Sequence, residues 1–150
     1  MATSPNTTVS NEPTSRIALS KIAVGTIVGA LAAAAVNAVV FFIADAAGSF
    51  PEDVLVESPG GDPAPIGVGT VIFATIFQLV VAGIVFAVIS RFSNRPVRLF
   101  WYVAMVVLVL SLALPFTISD APGDMIVALL LMHLLAAVIG VGIMTRVART

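Results

Sequence analysis

Four long apolar stretches, at about 19–44, 67–90, 99–117 and 125–145, organise the chain, and only Lys21, near the start of the first, puts a charge inside any of them. About 20 such residues in helical form cross the hydrocarbon core of a bilayer. Within the stretches, polar and apolar positions do not alternate with the period of two that barrel strands require, and only helices or closed barrels satisfy their backbone in lipid. The pattern predicts an all-α integral membrane four-helix bundle, with short connectors making sequential neighbours antiparallel.

Between the stretches the chain turns polar. Residues 1–15 are mostly Ser, Thr, Asn, Pro and small residues, a composition that predicts a disordered tail ahead of a transmembrane domain at 16–147. Loops are expected at 45–66, 91–98 and 118–124. The first holds Pro51, Pro59, Pro63 and Pro65 with Gly60 and Gly61, which break regular structure. Ser49, three residues before Glu52, resembles a capping box and suggests a short helix from Phe50 to Val56. Pro115 lacks a backbone donor and is expected to end the third helix near its outer end.

Charge then orients the bundle. All seven basic residues flank one side of the four stretches, from Arg16 and Lys21 through Arg91, Arg95 and Arg98 to Arg146 and Arg149. Of the eight acids, Asp45, Glu52, Asp53, Glu57, Asp62, Asp120 and Asp124 fall on the other. Short loops rich in Lys and Arg stay in the cytoplasm, so both termini are expected inside, with 91–98 internal and 45–66 and 118–124 external. Trp101 and Tyr102 then open the third span at headgroup level. The small-x-small triplet Ala44, Asp45 and Ala46 resembles a signal-peptidase site, but the preceding apolar run exceeds an h-region, so the first span is expected to be retained.

Composition agrees with lipid as the solvent: the chain is 59% hydrophobic, 10% charged and has a mean hydropathy of +1.13. No nucleic-acid partner is expected. The absence of cysteine removes disulfides, thiolate metal sites and thiol redox chemistry.

Small residues recur every fourth position in the first span, at Gly25, Gly29, Ala33 and then Asn37. The GxxxG pair is expected to let another helix backbone approach closely, either within the chain or in a homodimer. Thr70, Ala74, Gln78 and Ala82 form the same kind of stripe on span two, as do Ala128, Met132, Ala136 and Gly140 on span four. At about 1.5 Å of rise per residue, Asn37, Gln78, Ser111 and His133 lie about 10 to 16 Å from the external end. An unpaired amide or imidazole in hydrocarbon costs several kcal/mol, which predicts one hydrogen-bonded polar layer shared by all four helices.

That layer offers little catalytic chemistry. Ser111 and His133 are the members of a Ser-His pair, but Ser111 is flanked by Leu110 and Leu112 and lacks a glycine elbow. One histidine without thiolates is a poor metal site, and the acids of the first loop match no EF-hand spacing. No enzyme activity, cofactor or metal is expected. The layer is expected to act as interhelical glue, and the alternative takes His133, an ionisable group within a span, as part of a proton or solute path.

Asn37, the segment LSLALP carrying Ser111 and Pro115, and MHLLAAVIGVGIMTR carrying His133 and Arg146 resemble a group of small bacterial four-helix integral membrane proteins of unknown function. The resemblance covers about 18–147. It implies four spans in a bacterial inner membrane and supplies no catalytic residue. The expected role is a structural or accessory bundle, with a small transporter or channel component for a small or lipophilic solute as the alternative.

Overall fold

The computed structural model describes residues 17–57 and 61–150, so the tail expected at 1–15 lies outside the described residues. Helix α1 spans Leu19–Ala46, α2 Val68–Phe92 and α3 Pro96–Ser111, followed by a 3-10 turn at Leu114–Thr117. The last span comprises α4 (Gly123–Ala136), a π-turn (Ala137–Val141) and α5 (Gly142–Arg149). Among the described residues four helical segments are long and apolar enough to cross a membrane, and only 17 to 33% of each one's apolar window is buried within the protein. Leu31, Ile43, Phe77 and Leu110 are at least 60% exposed. So much outward apolar surface is stable only against lipid or another apolar partner.

Helix α1 is the hub. Its buried positions, Ile22, Gly25, Thr26, Gly29, Ala30, Ala33, Ala34, Asn37 and Phe41, form a double stripe that faces two neighbours. One edge packs on span four, where a Cβ on Gly29 would lie 3.0 Å from the Gly140 carbonyl oxygen and one on Gly25 3.1 Å from Met144 Cα. The GxxxG face is therefore occupied within the chain. The other edge packs on α2, where Gly83 leaves room for the Thr26 side chain.

On α2 the packed stripe is Val71, Thr75, Leu79, Gly83, Phe86 and Ser90, one position on from the expected Thr70, Ala74, Gln78 and Ala82. Leu79 seats against Gly140, so a large residue filling the space over a glycine sets the rotation of the helix. On span four, Ala128, Met132, Ala136 and Gly140 are buried as expected, followed by Val141, Met144, Thr145 and Ala148. A four-residue stripe drifts by about 40° per repeat on a 3.6-residue helix. The π-turn, which widens the helix locally, takes up that drift and lets one span keep facing α1 along its length.

Helix α3 is held most loosely, burying only Phe100 and Leu108. Phe100 stacks on Phe86 of α2 with ring centroids 4.4 Å apart. The α-helix stops at Ser111 because Pro115 cannot donate to its carbonyl, as expected of a terminus there.

The loop helix expected from Phe50 to Val56 does not form. Gly48, at φ +82°, closes α1 with Ser49 N–H donating to Ala44 O and Gly48 N–H to Asp45 O, a Schellman ending that commits Ser49 to the helix behind it. Phe50 folds back onto Phe41, and Leu55–Val56 pairs antiparallel with Ala64–Pro65 (β1 and β2).

Candidate functional site

A cleft of about 1020 Å³ runs between α2, α3 and span four. Its wall on α2 extends from Gly69 to Val85, about 24 Å at helical rise, which approaches the thickness of the hydrocarbon core. Phe73, Phe77, Val81, Val103 and Val107 make it mainly apolar, and Glu57 lines it beside the start of α2. The cleft exists because α3 packs on the bundle through few residues, Phe100 and Leu108 with Val97 and Ala104 beside the core, while Val103, Val107 and Ser111 face open space.

Gln78, Ser111 and His133 all line this cleft, each half-buried. The stripe Thr70, Ala74, Gln78 and Ala82, expected to pack against another helix, is its α2 wall. Three of the four expected polar-layer residues therefore come together, around a space rather than in contact.

Each arrives there with different hydrogen-bonding capacity. Ser111 Oγ donates to Leu108 O at 2.8 Å, which leaves its oxygen as an acceptor. His133 Nδ1 lies 2.7 Å from Leu129 O. A carbonyl can only accept, so in the neutral ring Nδ1 carries the proton and Nε2 offers a lone pair. The Gln78 amide makes no hydrogen bond to another described residue, so both its donor and its acceptor are available. Half-buried and unpaired in an apolar setting, such an amide favours a polar guest.

Asn37 is set apart. Fully buried on α1, its Nδ2 donates to Thr75 Oγ1 of α2 at 3.0 Å, while Thr75 Oγ1 donates to Val71 O at 2.8 Å. The Thr75 hydrogen is thus committed to its own helix, which fixes the orientation of the Asn37 amide and leaves Oδ1 buried without a partner. Among the described residues this is the one side-chain hydrogen bond joining two spans, so the layer expected to link all four helices is instead one pair beside a cleft. Its partner Thr75 was missed in the sequence. The available signal was Asn37 itself, a buried amide needing a partner on a neighbouring helix at similar depth.

Gly25 and Gly29 lie on the α1 face against span four, Ala33 is buried on the same helix, and none of the three lines the cleft. Among the described residues no group of three His, Asp or Glu side chains is placed to hold a metal ion. A family model described as a family of unknown function (DUF6069) matches residues 17–150. No curated protein and no solved structure matches the chain.

Proposed function

The chain belongs to this family of unknown function, and from that premise we propose a non-catalytic membrane bundle that binds an uncharged lipophilic solute in the cleft, as a small carrier or its accessory component. In this reading adjacent spans run antiparallel, the Arg-rich end faces the cytoplasm and the acidic loops face out, supported by the segregation of charge. The observation that carries the function is the grouping of Gln78, Ser111 and His133 around an otherwise apolar cleft of near-membrane length. Two acceptors and one complete amide suit a hydroxyl or amide headgroup, and the aromatic and aliphatic walls suit the chain behind it.

The test is photolabelling of the purified protein, in phosphatidylcholine nanodiscs, with a long-chain alcohol bearing a diazirine. Labels should map to 73–85, 103–111 and 133–141 and be displaced by excess unlabelled alcohol. Losing two hydrogen bonds of about 1 kcal/mol each should weaken site labelling roughly tenfold or more in Gln78→Leu with His133→Leu. Undisplaced labelling spread over α1 positions such as Leu31 and Val39 would exclude a binding cleft.

A second reading is a purely structural partner of another membrane protein. It is favoured by α3, whose exposed face, including Met105, Val106, Val109 and Leu110, is free to seat a neighbouring helix. Any homodimer would have to use such a surface, since the Gly25 and Gly29 face is filled by span four.

A further inference from the structure

The starts of α1 and α3 and the end of α5 enclose a second pocket of about 960 Å³ at the basic end of the bundle. Lys21, Arg95, Arg98 and Arg149 line it, and no Asp or Glu is among its described lining residues. The four are exposed and alike in sign, so an anion between them would lower their mutual repulsion.

Backbone dipoles add to the side chains. Both α1 and α3 begin at this pocket, and their N-cap residues, Ala18 and Arg95, make no side-chain capping hydrogen bond. On α3, Pro96 has no N–H, and Leu99 N–H, to Arg95 O at 3.1 Å, is the first to find its own helix, leaving the Val97 and Arg98 amides available. Free amides and the positive end of the helix dipole favour an anion here.

The walls favour one at a membrane surface. Ile17, Val97, Trp101 and Tyr102 also line the pocket, and the aromatic pair is of the kind found at headgroup level. Arg98 Nε and Nη2 each lie 3.3 Å from Tyr102 Oη as donors, and its guanidinium sits 5.8 Å from the ring centroid, so Tyr102 positions that cation.

We propose that this pocket binds the phosphate of an anionic lipid headgroup, held by Lys21, Arg95, Arg98, Arg149 and the start of α3. A free phosphate ester shares the chemistry but cannot use the apolar wall, which is why the lipid is favoured. The site is independent of the cleft and would stand if the cleft bound nothing.

Trp101 is the single tryptophan of the chain and lines the pocket, so it reports occupancy directly. The protein in neutral detergent is titrated with phosphatidylglycerol, phosphatidylcholine or soluble glycerol phosphate while Trp101 fluorescence is followed. A saturable response to phosphatidylglycerol alone is expected. At about fivefold per cation, Arg95→Gln with Arg98→Gln should weaken it roughly 30-fold. Arg91→Gln with Arg146→Gln removes the same charge from residues outside the pocket lining and should change affinity less than threefold. Melting curves of both variants in the absence of lipid establish that they fold, and Lys21→Gln with Arg149→Gln is the second probe if the first pair does not. Equal responses to the two lipids, or equal losses in pocket and control variants, would overturn the proposal. A response to glycerol phosphate matching that to phosphatidylglycerol would overturn the lipid as source.

Discussion

Replacing Asn37 should cost less than replacing its partner. In Thr75→Val the shape is kept but the hydroxyl is lost, so Asn37 Nδ2 loses its acceptor while Oδ1 is already unpaired. A buried amide donor without a partner costs about 1 to 3 kcal/mol. In Asn37→Leu the interhelical bond also goes, at about 0.6 to 1.7 kcal/mol, but the unpaired Oδ1 goes with it and Thr75 still donates to Val71 O. The two effects offset, giving a change within about 1 kcal/mol of zero. The double variant should resemble Asn37→Leu, because Thr75→Val does harm only while the amide is present. The assay is reversible unfolding in mixed micelles of increasing dodecyl sulfate, followed by helical circular dichroism. If Asn37→Leu proved the costlier substitution, Oδ1 would have a partner and the argument would fail.

Three further outcomes follow from the packing. Gly29→Leu drives a side chain into the Gly140 backbone and should destabilise the protein by about 1 to 3 kcal/mol or more in the same unfolding assay. Gly83→Ala should destabilise through overlap with Thr26, whose hydroxyl is held by Ile22 O, and adding Thr26→Ala should recover more than half of the loss. Pro115→Ala restores a donor for the Ser111 carbonyl, so amide hydrogen exchange at 116 and 117 should slow as α3 extends.

What was legible in the sequence was whatever one helix decides alone. Four apolar runs, the Gly25 and Gly29 face and the end of α3 before Pro115 need no knowledge of a partner. The rotation of α2 depends on Leu79 meeting Gly140, a fit between residues far apart in sequence, and choosing small side chains alone placed the packed stripe one residue early. That same offset turned Gln78 from an expected contact into a cleft residue. The π-turn follows the Ala128 to Gly140 stripe, but the same four-residue period on α2 runs through a regular helix, so the stripe alone did not mark it. Around Ser49 two local codes compete, and the glycine at 48 favoured ending α1 over starting another helix.

Because the chain has no cysteine, a single introduced thiol can report which side of the membrane a loop occupies. Asp62→Cys and Asn94→Cys each replace an exposed residue, one in the acidic loop and one between α2 and α3. In intact cells an impermeant maleimide should label position 62 at once, and position 94 only after permeabilisation. Labelling of 94 from outside, or of both positions alike, would contradict a bundle whose four spans cross lipid with the cations facing in.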